Sequence, residues 1–364
     1  MGHTEDVFVS IMPWAGLQQE IKIGNARFWP WEGTKAGMID GATKDTVQRY
    51  LDCFVDDLGD AVKTVAVCSY EGKEFRCLTD SEMSEMRCAR DALVFCVICP
   101  QVVQSIRGCS VGLCSAERFQ VVGQQLEKGR TTLYVVSGHN TTLGQFKIHK
   151  PLAVSSGYLA QPEFPLIKAF DKVLGAGFPE GLRRRLFRSL EWFRLAHVEA
   201  DQVSEQSRVV MMATAFETLL DIPAQTTDKS MFFADEVEKK FAIQESVCDS
   251  RVYKKEVHTR SRAAWWAYDY YKLRNKIVHG DDVCPADTRY GSHVGQKDVA
   301  DLVLHSILFQ VLCENDCVDY PPSMSRLTPE ERADVLLCYE GFEEAQQILG
   351  WLQKQDTEGV EHAS

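Results

Sequence analysis

The chain changes texture at one place, and that change limits its folding more than any other feature. From residue 164 to 353 nearly every segment repeats apolar residues at intervals of three or four, the spacing of a helix with one buried face. The expected helices cover 164–174, 179–197, 201–220, 229–242, 259–278, 296–315 and 329–352. In the third, Val203, Val210, Ala213, Phe216, Leu219 and Leu220 form one core-facing stripe. Before residue 160 the pattern is different. Short runs rich in β-branched and aromatic residues at 62–69, 119–124, 131–137 and 144–149 predict strands, with 125–130 as a hairpin connection between two of them. One helix is expected there, over 79–95, opening on Thr79-Asp80-Ser81-Glu82. Ser155-Ser156-Gly157, Pro162 and Pro165 interrupt both textures. The sequence therefore predicts an α+β chain. A mixed α/β domain with short strands spans 1–160, and an all-α bundle with an acidic tail spans 161–364.

At 45% apolar and 25% charged, the chain has enough apolar residues for two cores and no disorder-prone bias. Its longest apolar run, 92–99, is far short of the roughly 20 residues that span a bilayer, so no membrane partner is expected. Glu5 and Asp6 stand where a signal peptide carries basic residues. With thirteen cysteines, an odd number, and no secretory signal, the expectation is a cytoplasmic protein with reduced thiols. Phe28-Trp29-Pro30-Trp31 is expected to pack in the β-rich core.

The stretch at 259–280, TRSRAAWWAYDYYKLRNKIVHG, stands apart. It is an aromatic-rich helix stopped by Gly280. Helical spacing puts Tyr271, Asn275 and His279 on one face, with Arg274 about 140° round from His279. A histidine suits proton transfer near neutrality, and a guanidinium suits a phosphate. Together they can cleave RNA without a metal or cofactor: the imidazole handles the 2′-hydroxyl proton and the guanidinium holds the phosphate. DNA lacks that hydroxyl. The candidate catalytic pair is Arg274 and His279, with Lys272, Lys276 and Arg262 binding RNA. The competing reading is structural, in which His279 caps carbonyls and Arg274 pairs with Asp269 or Asp281. A second Arg–His pair, Arg251 and His258, lacks this context and reads as exposed basic charge.

Arg274-Asn-Lys-Ile-Val-His-Gly280 resembles the signature of HEPN domains, particularly the Apea-like group of bacterial antiphage and abortive-infection proteins. Ala213-Thr-Ala-Phe-Glu-Thr-Leu-Leu220 resembles that group's other recurrent stretch. The resemblance covers about residues 164–353. It implies a HEPN-like helical bundle that dimerises and acts as a metal-independent endoribonuclease in abortive infection, with Arg274 and His279 catalytic and Asn275 supporting. RNA, with tRNA as one candidate, would be the substrate, and a phage-derived trigger the activator. Domain 1–160 would sense that trigger, restrain the nuclease or select the RNA. The alternative within the resemblance is a non-catalytic module that binds RNA or a nucleotide and dimerises. Asp281 stands where Arg-x4-His-x-Tyr toxins carry tyrosine, so that subgroup fits poorly.

Three further patterns compete. Cys96, Cys99, Cys109 and Cys114 could supply four thiolates to zinc if Pro100 turned the chain, while Cys96 in an apolar run reads equally as core. Gly175-Ala-Gly177-Phe-Pro-Glu-Gly181 follows a helix rather than a strand and reads as a turn rather than a phosphate loop. Asp281 and Asp282 read as solvated carboxylates rather than metal ligands. The net charge of −12 is uneven: 251–276 carries +6 and 314–364 carries −9. Because surface charges are screened beyond about 10 Å, the local basic segment decides whether phosphate binds.

Overall fold

A computed structural model describes residues 6–31, 40–56, 58–106, 115–128, 132–134, 140–142, 146–151, 154, 159–199, 203–240, 248–290 and 294–318. Its contacts divide the chain into two units. One is Met1–Val97 with Cys114–Pro162 and Val198–Ala200; the other is Ile98–Leu113 with Glu163–His197 and Asp201–Ser364. The main break falls between Pro162 and Glu163, two residues past the end of the strand-rich texture. Among the described residues no helix is long and apolar enough to cross a membrane.

In the first unit, β1 (Asp6–Met12), β2 (Ile21–Ile23), β3 (Ala26–Pro30), β4 (Ala66–Tyr70) and β5 (Val122–Glu127) form an antiparallel sheet in the order β2-β3-β4-β1-β5. The first three strands were not expected. β1 is buried along most of its length, so it lacks the in–out alternation that marks a one-sided strand. β2 and β3 are joined by Gly24-Asn25, with Gly24 at φ 62°, a tight turn that lets two short strands pair. Two expectations shift. Residues 125–127, expected in a hairpin connection, are the end of β5, paired in register with β1 (Val7 opposite Leu126). The run at 62–69 enters the sheet only from Ala66. Trp29 and Trp31 pack as expected, stacked 6.2 Å apart in the same core as Val7, Val9 and Ile11. α1 (Gly41–Leu51) adds Val47, Tyr50 and Leu51 to that core and starts on Asp40, which accepts from the Thr43 amide at 3.1 Å.

α2 (Asp80–Ile106) begins where Thr79-Asp-Ser-Glu82 placed it. Glu82 accepts from the Thr79 amide (2.9 Å) and the Thr79 hydroxyl from the Glu82 amide (3.4 Å), a reciprocal capping box. It runs straight through Pro100, so the turn needed for a zinc knuckle is not made there. Cys96 and Cys99 are buried in this helix, and Cys109 and Cys114 lie outside the described residues. Among the described residues no cluster of three metal-ligating side chains occurs.

The second unit contains α3 (Phe164–Leu174), α4 (Glu180–Ala196), α5 (Glu205–Leu219) and α6 (Lys229–Lys240). The hairpin β6 (Cys248–Tyr253) and β7 (Glu256–Ser261), then α7 (Arg262–His279) and α8 (Gln296–Glu314), follow. The helix expected at 329–352 and most of the acidic tail lie outside the described residues. α4 packs on α5, α6 on α7, and α5 reaches both α7 and α8. The buried side of α5 is Val209, Met212, Ala213, Phe216 and Leu219. Val210 and Leu220 are only half-buried, so the stripe is turned slightly from the one expected.

The hairpin corrects the all-α expectation for this half. Its two-residue loop, Lys254-Lys255, has both residues left-handed (φ 47° and 72°), the geometry of a type I′ turn. That turn is usually written Asn-Gly, so two lysines hide it in the sequence. α6 holds the hairpin's end: Asp235 pairs with Arg260, and Glu238 accepts from the Ser261 amide at 3.0 Å.

A buried ionic cluster joins α4 to α8. His197 donates from Nδ1 to the Phe193 carbonyl (2.7 Å), and its Nε2 lies 2.9 Å from Asp301 and 3.1 Å from Lys297. Lys297 also reaches Asp301 at 3.1 Å. Burial alone would push the Asp301 carboxyl up, but His197 and Lys297 hold it below its ordinary 3.8.

Candidate active site

α7 is positioned at both ends by local chemistry. Ser261 is the last residue of β7 and the N-cap of α7, where its hydroxyl accepts from the Ala264 amide at 3.2 Å. At the other end Gly280 is left-handed (φ 76°). Its amide donates to Ile277 (3.2 Å) and the Asp281 amide to Lys276 (3.0 Å), the paired bonds of a Schellman stop. The expected start at 259 was three residues early, because 259–261 close the hairpin.

Trp265, Trp266, Tyr270 and Tyr271, between these caps, are buried and structural. Trp266 stacks on Tyr270 at 5.0 Å, and Phe216 of α5 and Phe233 of α6 meet the same face. Tyr270 donates to the Val209 carbonyl (3.1 Å). On the hairpin side, Trp265 donates to the Asp249 carbonyl (2.8 Å). Arg251 lies 4.8 Å over the Trp265 ring and pairs with Asp269 at 2.7 Å. Arg251 and His258 are cross-strand neighbours in the hairpin; Arg251 clamps β6 onto α7, and its charge is paired rather than free. It also takes up Asp269, one of the two acids that might have claimed Arg274.

Arg274 instead faces α5. Its Nη2 lies 3.5 Å from Glu217, its Nη1 donates to Asn275 Oδ1 (3.1 Å), and the guanidinium sits 5.5 Å over the Tyr271 ring. Tyr271 in turn donates a short hydrogen bond to Glu217. Burial and the Glu217 bond both push the Tyr271 hydroxyl pKa up, so it stays a donor. Glu217 was not singled out in the sequence. The signal was present: it is the one acid in the apolar stretch at 213–220, which also carries the second half of the resemblance.

His279 is exposed and opens onto a different surface. It lines an open cleft of about 520 Å³ together with Asn275, Lys272 and Lys276 of α7, Tyr253 and Lys254 of the hairpin, and Asp228 and Lys229 at the start of α6. Lys272 lies over Tyr268 (5.1 Å) and Lys254 over Tyr253 (4.9 Å), so both ammonium groups are held at the cleft wall. Lys254 also reaches Asp228 at 3.4 Å. Four lysines against Asp228 and Asp281 leave the cleft cationic, whatever the charge of the whole chain. Four of the expected site residues, Asn275, His279, Lys272 and Lys276, therefore share one cleft. Arg274 is not among its lining residues and touches it only through Asn275. The side chain of Arg262 lies outside the described residues. Arg183, Arg185 and Arg188 of α4 pair with Glu180, Asp221 and Glu191.

Comparison with protein-family models, with curated proteins and with solved structures finds no match to this chain. What the site can do is therefore argued from its own geometry.

Proposed function

We propose that this protein is a metal-independent endoribonuclease of HEPN type, cleaving RNA by attack of the ribose 2′-hydroxyl. The observation that carries the reading is an exposed imidazole at the end of α7 in a cationic, tyrosine-bearing cleft, one residue contact away from a guanidinium held by Glu217. The lysines suit a phosphate backbone, and Tyr253 and Tyr268 offer rings to unstacked bases. In the reaction, His279 takes the proton of the 2′-hydroxyl, whose oxygen attacks phosphorus. The P–O5′ bond breaks, the leaving 5′-oxygen takes a proton from solvent, and the products carry a 2′,3′-cyclic phosphate and a 5′-hydroxyl, with the imidazolium of His279 then releasing its proton to solvent. Arg274 stabilises the phosphorane charge. Since Arg274 and His279 point to different sides of α7, a homodimer in which Arg274 of one copy meets His279 of the other completes the site.

One observation favours a second reading, a non-catalytic RNA- or nucleotide-binding module. Arg274 is engaged by Glu217 and Asn275, which a purely structural arginine also requires. Incubation of wild type, His279→Ala and Arg274→Ala with total RNA or tRNA in EDTA separates the two. Cleavage by wild type alone supports the enzyme. Binding without cleavage by all three, with and without phage infection of the source extract, supports the module. Cleavage that survives both substitutions overturns the site.

A further inference from the structure

The first unit holds a cavity that the RNA chemistry does not use. It encloses about 400 Å³ between Trp14, Asp56, residues 60–64, Arg118, Lys150 and Val154. This lies toward the small end of the roughly 300–1,000 Å³ typical of small-molecule sites, enough for one ring system with an anionic group and too small for a nucleic-acid strand.

Its lining is chemically selective. Arg118 is 3% exposed, lies within the short 3-10 turn Ala116–Phe119, and donates from Nη1 to the Trp14 carbonyl at 2.9 Å. That bond holds the guanidinium at the Trp14 backbone, and the Trp14 ring packs edge to face with Phe54 (5.7 Å). Lys150 is tied to the Val154 carbonyl across the cavity's other side, and Lys63 stands exposed at the rim. Three cations thus meet two carboxylates. One of these, Asp56, is spent on its own loop, accepting from the amides of Leu58 (2.9 Å) and Asp60 (3.1 Å). A single carboxylate ligand needs only one such cation; a phosphate monoester carries about −1.5 to −2 and calls for more. The remaining acid, Asp60, is suited to accept from hydroxyls, and Trp14, Val62 and Val154 supply the apolar wall.

From this lining we infer that the first unit binds a small phosphorylated ligand bearing a planar ring and hydroxyls, a nucleoside monophosphate in size and chemistry. The phosphate lies among Lys63, Arg118 and Lys150, and the ring lies against Trp14. The site is separate from the His279 cleft and does not depend on cleavage there.

Calorimetric titration of the full chain with adenosine 5′-monophosphate, adenosine and inorganic phosphate tests it. Saturable binding of the monophosphate is expected, about tenfold or more tighter than either fragment. Lys63→Glu, at an exposed position where folding is not at stake, should weaken it about tenfold or more, and Arg118→Met further. His279→Ala should bind as wild type does. Absence of saturable binding overturns the inference. So does equal affinity for the monophosphate and either fragment, or undiminished binding in Lys63→Glu and in folded Arg118→Met.

Discussion

Two histidines of the helical unit sit in opposite surroundings. His197 is 5% exposed and has both ring nitrogens engaged by Phe193, Asp301 and Lys297. His279 is exposed, at the end of a helix, in a cleft walled by lysines. The first sits among charges that burial makes indispensable, because a buried ion left without its partner keeps its full desolvation cost. The second has nothing to hold in place, which is what a group that exchanges protons with a substrate requires.

Breaking one partner in the buried cluster should therefore have the largest effect on stability. Asp301→Ala is expected to cost about 3–5 kcal/mol in urea unfolding, since Lys297 and His197 lose their hydrogen-bonded carboxylate and Lys297 keeps only Asp298 at 3.7 Å. The pH dependence follows the same cluster. Because the folded Asp301 carboxyl lies below 3.8, its contribution is complete above that pH and is lost as the pH falls through the folded value. Acid unfolding followed by circular dichroism should lose this low-pH component in Asp301→Asn.

His279→Ala should do the reverse. RNA cleavage is expected to fall about 10²–10⁴-fold, while the unfolding midpoint shifts by no more than about 0.5 kcal/mol. A loss of stability like that of Asp301→Ala would make His279 a structural residue and erase the contrast. Glu217→Gln sharpens the comparison on the α5 side. It removes the charge facing Arg274 but keeps an acceptor for Tyr271, and cleavage should fall about tenfold, the worth of a hydrogen bond to a charged group. If substrate binding rather than the chemical step weakens, Arg274 acts only in binding. The smallest effect is expected at Gly280→Ala. An added Cβ meets no neighbour within 4 Å, so the cost is the left-handed backbone alone, about 1 kcal/mol in thermal unfolding.

The helices were legible because each carries its own signal. α3 occupies the residues its periodicity marked, α2 begins at its capping box, and α7 ends at Gly280. The strands were less so. β1 is covered along most of its length and has no alternation to read, and the β6–β7 hairpin turns on Lys254-Lys255 rather than on glycine or asparagine. The helix expected to stop at residue 95 continues through Pro100, because a proline removes only one bond of a helix that buries Phe95, Cys96 and Val97 just before it.

At the site, sequence spacing alone determined that Asn275 and His279 share a face and that Arg274 does not, since a helix fixes the angle between its own residues. It also supplied the local excess of basic charge in a chain that is acidic as a whole. Tertiary structure decided what those residues face. Only packing brought Glu217 from α5 to Arg274, withdrew Asp269 by pairing it with Arg251, and set the hairpin's Tyr253 and Lys254 beside His279. Contacts between segments far apart in sequence depend on which surfaces bury one another, and no local spacing encodes that choice.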